Sequence, residues 1–257
     1  DIRKRAAEDV FRKRRPDAVV HMATVTSLQV QGDERDRINL GGTRAVFEYC
    51  RTYGVKQVVF VGRHTFYGAA ADAALYHTEE EPPLALASFP ALADLVAADL
   101  YAATSLWRDP GIQTSVLRMV YTLGPSMHGT LGAFLRGRAV PMVLGYDPLF
   151  QFLHEQDAVS AIVLALEKKV RGIYNVAGPQ PLPLSVVIRE SGRTAVPLPE
   201  FLLQRVLGHG GLPALPPGAL SHLKFPIVVD GKRFREETGF QPTRDEVETL
   251  RDVRLPT

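Results

Sequence analysis

Two apolar runs of strand length flank a helical pattern near the start of the chain. The runs are Ala18–Ala23 and Gln57–Gly62, and their lack of clear alternation is typical of parallel strands buried on both faces. Between them, apolar residues recur at helical spacing from Asp36 to Tyr53, and Gly54 stands where a helix stop belongs. This order predicts a βαβ unit with a right-handed crossover onto a parallel sheet.

The same signals continue along the chain. Residues 1–15 predict an amphipathic helix with Ala6, Ala7, Val10 and Phe11 inward, and residues 91–107 predict a helix with few charges. Residues 69–90 and 122–126 are predicted loops. Further strands are predicted at 113–121, 141–144, 150–154 and 173–176, and further helices at 131–136 and 157–168. Proline and glycine become dense after residue 179, which indicates a small, loop-rich C-terminal lobe.

Ligands of open α/β sheets bind beyond the carboxyl ends of the strands. That rule indicates two segments of this chain, the residues that follow Met22 and those from Gly62 to Gly68. Both segments carry polar side chains directly after an apolar strand. We therefore expect the functional site to lie there.

Composition narrows the class of protein. A chain of 257 residues with 46% hydrophobic content can bury a core of one large domain, or of one domain plus a small lobe. The net charge of +2 and the cationic N-terminal helix do not indicate a nucleic-acid partner, because no aromatic residues are interleaved with the charges and no binding motif accompanies them. A single cysteine, Cys50, excludes a disulfide framework and suits a reducing cytosol. It lies on an apolar helix face, which favours a buried hydrophobe over a reactive thiol.

No apolar run reaches the ~18 residues of a membrane span, and no signal peptide opens the chain. We therefore predict a cytoplasmic protein without membrane, nucleic-acid or metal partners.

Seven short motifs stand in order along residues 1 to about 240. They are Asp1-Ile2, Asp17–Ala23, Asn39–Thr43, Gln57–Gly68, Leu117-Arg118 with Gly124-Pro125, Phe152–Asp157 and Tyr174–Val176. In this order they resemble an extended short-chain dehydrogenase/reductase of the NAD-dependent epimerase/dehydratase type. The resemblance implies a Rossmann-like, doubly wound parallel sheet with NAD or NADP as cofactor.

The resemblance also implies site residues. The cofactor would be bound by residues at the strand ends and at the adenine-holding turn: Asp1, Ile2, Met22, Ala23, Thr24, Val61 and Gly62. The substrate would contact Tyr76, Arg118, Tyr121 and Phe150. Asn39, by contrast, is expected to fix backbone in this fold, and Asp157 is expected to cap the helix that follows it.

The glycine-rich phosphate loop of such proteins is not found in this sequence. In this fold the loop follows the first strand, where glycines let the backbone approach a pyrophosphate. The first residues instead match the end of the third strand, so we expect that the natural protein carries a preceding βαβαβ part. Without it, residues 18–23 would form a bare hydrophobic sheet edge.

The proton-handling pair of the family is also missing. The family uses Tyr-x-x-x-Lys, in which the lysine lowers the pKa of the tyrosine. No lysine occurs between Lys56 and Lys168, and by spacing the tyrosine and lysine positions fall near Phe89 and Ala93. The family's diphosphate-gripping arginine is replaced by Phe150, which argues against a nucleotide-sugar substrate.

Residues after the second strand offer a substitute. Arg63, His64, Tyr67 and Tyr76 could form a different proton-transfer set, with Arg63 depressing a tyrosine pKa or binding an anionic substrate. Thr65 could keep a hydroxyl in the site, so the candidate catalytic residues are Arg63, His64, Thr65 and Tyr67. The structural alternative is that Arg63 forms a salt bridge in a loop and His64 is a satisfied polar residue.

Two functional classes follow. The first is an NAD(P)-dependent epimerase/dehydratase-like enzyme that acts on a small, non-nucleotide, sugar-like or carbonyl substrate with atypical acid/base residues. The second is a catalytically inactive dinucleotide-binding sensor of the same fold. The expected domains are an incomplete NAD(P)-binding domain at 1–178, with an excursion into the substrate lobe at about 126–156, and a C-terminal lobe at 179–257. We expect a homodimer through the helices at about 36–53 and 91–107.

Overall fold

The structure is a computed structural model that describes residues 2–26, 30, 32–206 and 218–254. In chain order the strands are β1 (Ala18–His21), β2 (Gln57–Arg63), β3 (Gln113–Met119), β4 (Tyr121–Leu123), β5 (Ala139–Val143), β6 (Leu149–Phe150), β7 (Phe152–His154), β8 (Gly172–Val176), β9 (Leu182–Pro183) and β10 (Thr194–Leu198). The helices are α1 (Arg5–Arg14), α2 (Gly32–Asp36), α3 (Gly42–Tyr53), α4 (Ala85–Ser88), α5 (Ala93–Arg108), α6 (Gly129–Phe134), α7 (Glu155–Glu167), α8 (Leu184–Glu190), α9 (Glu200–Val206), α10 (Lys232–Thr238) and α11 (Glu246–Asp252). Among these described helices, none is long and apolar enough to cross a membrane.

A four-stranded parallel sheet in the order β1-β2-β3-β8 organises the fold. The predicted βαβ unit is confirmed, because β1 and β2 pair in parallel and are joined through α3. A π-helical turn at Arg37–Gly41 precedes α3. Gly54 ends the helix in the left-handed conformation (φ 74°), which a residue with a Cβ adopts only with strain.

Apolar residues fill both faces of this sheet. On one face α1, α3 and α5 pack around Phe47, Cys50 and Phe60. On the other face, Leu117 and Val176 pack with residues of α7 and α10, including Phe234. The doubly wound α/β prediction is therefore confirmed.

A second cluster lies beyond the sheet. It joins residues of α6, β5, α8 and α11: Leu131, Val140, Leu184, Val187 and Leu250 are among its buried members. The cluster also includes Leu123 of β4, the short strand that follows β3. The division of the chain at residue 178 stays a prediction.

Cys50 is a buried hydrophobe, as predicted. Its side chain is fully buried within the described residues, and burial, followed by the charge of Asp109, raises the pKa of the thiol to about 12. A thiol that stays protonated is a poor nucleophile.

Several local predictions were wrong. Val10 is 55% exposed, because Phe11 is the residue of α1 that packs on Tyr49. The strand predicted at 113–121 ends at Met119, and Tyr121–Leu123, predicted partly as loop, forms β4 and pairs with β7 in a separate sheet. β1 was predicted to be buried on both faces, yet Val20 is partly exposed, since β1 is the outer strand of the sheet in the described residues.

Asp157 does not cap α7, contrary to the sequence prediction. The N-cap residue is His154, whose Nδ1 accepts a hydrogen bond from the backbone N–H of Gln156 (3.2 Å). Asp157 lies in the first helical turn, where its carboxylate accepts from the N–H and hydroxyl of Thr243 (3.0 and 2.6 Å) and from the N–H of Arg244 (3.2 Å). Asp157 therefore ties the C-terminal segment to α7.

A buried ion pair connects α5 to the sheet. Arg118 of β3 is 2% exposed, and its Nη2 donates to Asp99 Oδ1 of α5 at 2.8 Å. Its Nη1 donates to the Tyr67 hydroxyl (3.1 Å), which in turn donates to Asn175 Oδ1 of β8 (2.8 Å). The network therefore fixes the turn after β2 against two strands and one helix.

Breaking this pair tests its contribution to stability. We expect Asp99→Asn to lower the free energy of unfolding by about 3–5 kcal/mol, because Arg118 would keep a buried, uncompensated charge. Urea denaturation measures the change. The matched control is Asp17→Asn, which removes an exposed pair with Lys56 (3.0 Å) and should cost no more than about 1 kcal/mol. Equal losses in both variants would contradict the assignment.

Candidate functional site

The chain turns sharply at the carboxyl end of β2. A 3₁₀ turn at His64–Tyr67 follows Arg63, and Gly68 then adopts a positive φ of 75°. A Cβ at Gly68 would lie 2.5 Å from Ser88 Oγ and 2.6 Å from the Ala85 nitrogen, so only glycine fits between this turn and α4. The turn is thereby fixed at the edge of the sheet where ligands of α/β folds bind.

A cavity of about 410 Å³ opens at the carboxyl ends of β1, β2 and β3. Its lining includes residues from each of these ends and from the start of α7: Met22, Thr24, Val61, Gly62, Arg63, His64, Thr65, Met119, Tyr121, Glu155 and Ala158. The cavity combines apolar walls with hydroxyl, imidazole and guanidinium groups. Such a mixed lining suits an organic ligand that carries a few polar groups.

A second cavity of about 140 Å³ adjoins the first. The two share five lining residues: Thr26, Arg63, Thr65, Tyr121 and Thr130. The rest of the smaller cavity is almost entirely apolar, with His222 as its further polar member: Phe89, Leu92, Leu95, Leu131, Phe134, Phe150, Ala219 and Leu223. The shared residues therefore stand between two compartments of different character.

Arg63 lies half-buried in this shared wall. Its guanidinium donates one long hydrogen bond, from Nη1 to Thr130 Oγ1 at 3.4 Å. Burial lowers the pKa of Arg63, and the nearby phenol of Tyr121 opposes that shift. Within the part of the chain that the structure describes, no carboxylate lies within 4.0 Å of Arg63, so the salt-bridge interpretation finds no support.

His64 is fully buried and lines the larger cavity. Its Nδ1 lies 3.1 Å from the carbonyl oxygen of Met119. Because a carbonyl only accepts, Nδ1 carries the proton and Nε2 is left as an acceptor, which has no partner among the described residues. Burial lowers the pKa of His64 to about 3, so the ring stays neutral in the folded protein at neutral pH.

Tyr121 stands beside both groups and lines both cavities. Its ring meets His64 edge-on (centroids 4.4 Å apart) and stacks on Phe150 (5.6 Å). Burial raises the pKa of the phenol to about 12, although the charge of Arg63 acts in the opposite direction. At neutral pH Tyr121 therefore stays protonated and is a hydrogen-bond donor.

The structure brings most predicted site residues together and separates the others. Nine line one or both cavities: Met22, Thr24, Val61, Gly62, Arg63, His64, Thr65, Tyr121 and Phe150. Tyr67 and Arg118 lie instead in the buried network with Asp99, and the Tyr76 side chain is half-exposed outside both linings. Burial raises the pKa of Tyr67 to about 12, and Arg118, not Arg63, is the cation beside it.

Two further described residues that were predicted to bind the cofactor, Ala23 and Ile2, do not line the cavities. Ala23 is exposed, and Ile2 packs on the helix start, where a Cβ at Gly42 would lie 2.5 Å from its Cδ1. Asp1 lies outside the described residues. Asn39 has the structural role expected of it, because its side-chain amide exchanges hydrogen bonds with the backbone of Val25 (2.7 and 2.9 Å).

Sequence reasoning missed the far wall of the smaller cavity. Phe89 had a signal, because it stands at the spacing of the family's tyrosine. His222 had none, since a lone histidine in a proline-rich segment carries no spacing that indicates a site. It reaches the site by packing edge-on against Phe89, with ring centroids 5.2 Å apart, and its Nε2 is buried without a partner among the described residues.

The chain is similar to known proteins in sequence. A family model described as "NAD dependent epimerase/dehydratase family" matches residues 1–177. The uncharacterized proteins Mb0513 of Mycobacterium bovis and Rv0501 of Mycobacterium tuberculosis are each 30% identical over 258 residues, covering 98% of this chain and 69% of theirs. The uncharacterized protein y4nG of Sinorhizobium fredii is 24% identical over 239 residues, covering 88% of this chain and 59% of its own.

Solved structures share the fold. UDP-glucose 4-epimerase of Thermus thermophilus in complex with NAD superposes with a TM-score of 0.75 at 24% identity, over 98% of this chain and 81% of that chain. RMD of Pseudomonas aeruginosa, complexed with NADPH, gives 0.75 at 19% identity over 98% and 85%. Pal of Bacillus thuringiensis gives 0.78 at 15% identity over 98% and 80%.

The buried neutral state of His64 predicts a pH dependence of stability. In the unfolded chain this imidazole binds a proton near its ordinary pKa of 6.5, but in the folded protein only near 3. Between these values the unfolded state holds more protons, so the free energy of unfolding falls as the pH falls. We expect His64→Asn to reduce that slope by up to about 1.4 kcal/mol per pH unit between about pH 6 and 4.

Urea denaturation at several pH values measures the slope. His128→Asn is the matched control, because His128 is exposed and should leave the slope unchanged. A residual slope is expected in both variants, since burial also lowers the pKa of His21 and of His222 to about 4. An unchanged slope in His64→Asn would show that folding does not lower the pKa of this ring.

Proposed function

Since this chain belongs to the NAD dependent epimerase/dehydratase family, we propose that it is an NAD(P)-dependent enzyme acting on a small, non-nucleotide, sugar-like or carbonyl substrate. The observation that carries the proposal is a phenol and a guanidinium, Tyr121 and Arg63, in the wall shared by two adjoining cavities. One cavity would hold the cofactor and the other the substrate. The acid/base residues would differ from those of the family pattern.

The larger cavity fits the nicotinamide end of a dinucleotide. It lies at the carboxyl ends of β1, β2 and β3, where this fold binds such cofactors. Val61, Met119 and Ile162 offer apolar surface to a flat ring, while Thr24 and Thr65 offer hydroxyl groups. Structural neighbours complexed with NAD or NADPH support a nicotinamide dinucleotide.

Tyr121 and Arg63 would take over the work of the missing Tyr-x-x-x-Lys pair. The bound nicotinamide supplies or accepts the hydride. Tyr121 stays protonated at neutral pH, so its hydroxyl can donate to a substrate carbonyl oxygen as negative charge develops there. The guanidinium of Arg63 stabilises that charge and favours the phenolate that remains after transfer.

His64 and Thr65 would position rather than transfer. The carbonyl of Met119 fixes the tautomer of His64, and the His64 ring packs nearly perpendicular to the ring of Tyr121, which holds the phenol in place. Thr65 lines both cavities, and its hydroxyl would orient the substrate oxygen. Tyr67, buried in the Arg118 network, would act only through the position of the turn.

A nucleotide sugar does not suit the smaller cavity. Phe150 occupies the position of the family's diphosphate-gripping arginine and stacks on Tyr121 instead. A diphosphate placed there would leave its hydrogen bonds with water and would lie against an aromatic ring that offers no N–H or O–H donor in their place.

The alternative is a dinucleotide-binding protein without turnover. Phe89, which directly follows α4, and Ala93, the first residue of α5, favour it, because neither side chain can transfer a proton and Phe89 lines the smaller cavity. Such a protein would bind the cofactor tightly and would report its redox state to a partner.

We further propose a cytoplasmic homodimer that contacts through α3 and α5. Trp107 and Leu100 of α5 are exposed apolar side chains (74% and 40%), which an interface would cover.

Exchange of the phenol tests the enzyme proposal. We expect Tyr121→Phe to lower kcat for carbonyl reduction by about 100- to 10,000-fold with little change in KM, because only the proton donor is removed. Stopped-flow and steady-state absorbance of NADH or NADPH measure the rate. Cofactor affinity, followed by the fluorescence of the reduced nicotinamide, should stay unchanged.

Tyr76→Phe is the matched control, since that tyrosine is half-exposed outside both cavities. It should keep full activity. Cofactor binding by the native protein without turnover of a panel of aldehydes, ketones, oxo acids and sugars would support the alternative. Full activity of Tyr121→Phe would contradict the assignment of the proton donor.

A further inference from the structure

We propose that the ligand of the smaller cavity is an oxo acid, or the corresponding hydroxy acid, with a compact apolar side chain, and that Arg63 binds its carboxylate. This inference rests on the proposed function and names the substrate class of the same site. It replaces a hydroxyl-rich, sugar-like substrate by an anionic and otherwise apolar one.

The buried arginines of the described residues show how this fold satisfies a guanidinium. Arg35 pairs with Asp94 at 2.5 Å and Arg118 with Asp99 at 2.8 Å. Arg193, which has no carboxylate, donates to backbone carbonyls of residues 135, 191 and 253. Each of them is therefore neutralised or held by several acceptors, as a desolvated cation requires.

Among the described residues Arg63 has neither arrangement. Its hydrogen-bond partner there is the neutral hydroxyl of Thr130, at 3.4 Å, although the Arg63 side chain is half-buried. The remaining N–H groups lie at the wall of two cavities. A fork of N–H donors without an anion, facing a cavity, matches a carboxylate that arrives with the ligand.

The rest of the smaller cavity defines the body of that ligand. Three phenylalanines and several aliphatic side chains surround it: Phe89, Leu92, Leu95, Leu131, Phe134, Phe150 and Leu223. A sugar would bury hydroxyl groups against these walls without partners, and each loss would weaken binding. An aliphatic or phenyl side chain would instead gain from leaving water.

Tyr121 would bind the oxo or hydroxy oxygen on the carbon next to the ligand's carboxylate. The neutral phenol stands within the electrostatic reach of Arg63 and lines the same cavity. A carboxylate on Arg63 would therefore present the oxygen of its adjacent carbon to a hydrogen-bond donor. An oxo or hydroxy group at that carbon would use both side chains at once.

Binding of acids to the native full-length protein without cofactor tests this proposal. The probes are phenylpyruvate and 4-methyl-2-oxopentanoate, measured by calorimetry. We expect both to bind, and their methyl esters, the hydroxyl-rich acid gluconate and inorganic phosphate to bind at least about tenfold more weakly. Esters or gluconate binding as tightly as the oxo acids, or no binding of either oxo acid up to about 10 mM, would overturn the proposal.

Variants assign the binding to these residues. Arg63→Gln should weaken the binding of the oxo acids at least about tenfold. Arg63→Lys should weaken it less, because lysine keeps the charge but loses the paired N–H donors of the guanidinium. Arg136→Gln, an exposed arginine, is the matched control and should bind normally. Ala219→Leu, which fills part of the smaller cavity, should weaken the binding of phenylpyruvate and leave the binding of pyruvate unchanged. Circular dichroism confirms that each variant folds, and unchanged affinity in folded Arg63→Gln would also overturn the assignment.

Outcomes for this inference and for the proposed function are separable. Calorimetry requires no cofactor and no turnover. If oxo acids bind but are not reduced, the proposed ligand class is supported and the protein has the non-catalytic alternative function. Reduction of another carbonyl compound, with no binding of oxo acids, would keep the enzyme and reject this substrate class.

Discussion

The buried ion pair between Asp99 and Arg118 is the constraint on which the geometry of the site depends. A desolvated pair is stable only when its geometry is fixed and its remaining polar atoms are satisfied. Arg118 meets this condition through Asp99, the hydroxyl of Tyr67 and the carbonyl of Glu79, and its guanidinium also lies 3.5 Å from the centroid of the Phe66 ring. Gly62 belongs to the same arrangement, since a Cβ there would lie 2.7 Å from Asp99 Oδ2. The end of β2 is thereby fixed, and with it the direction in which Arg63, His64 and Thr65 leave the sheet.

Two arginines near the site have different roles, although both carry the same guanidinium group. Arg118 is surrounded by its partners and holds the backbone in place, whereas Arg63, at the end of the neighbouring strand, keeps its donors toward two cavities. The apolar walls around Arg63 lower the local polarity. The interaction of its guanidinium with a charge on the ligand, or with a charge that develops during the reaction, is therefore stronger there than in water. A protein can hold such an open cation only if the rest of the turn cannot rearrange to satisfy it. Gly68 and the Arg118 network provide that restraint.

Sequence patterns predicted the frame of the site well. Helical periodicity up to Gly54, the two apolar runs and the order of strands were sufficient for the βαβ unit, because each signal is local and repeats along the chain. The rule that ligands of α/β sheets bind beyond the carboxyl ends of the strands indicated the segment from Gly62 to Gly68, which lines both cavities through Arg63 and Thr65. Predictions were wrong where a local signal was ambiguous. The predicted strand 113–121 ran past the end of β3 into Tyr121, and the rest of β4 was predicted as loop. Asp157 had the residue type and position of a cap, although its carboxylate binds Thr243 and Arg244.

The sequence by itself determined the fold class, the family and the loss of the Tyr-x-x-x-Lys pair, since these depend on residue types at short, fixed spacings. Tertiary structure alone decided which polar groups share the site. It directed Tyr67 toward Asn175 and Arg118, and Tyr121 toward Arg63, although both tyrosines come shortly after a long strand of the sheet. It also brought His222 against Phe89 across more than half the length of the chain. Side-chain direction and contacts between distant segments arise only when the layers pack, because burial of apolar surface, and not sequence separation, selects which residues meet.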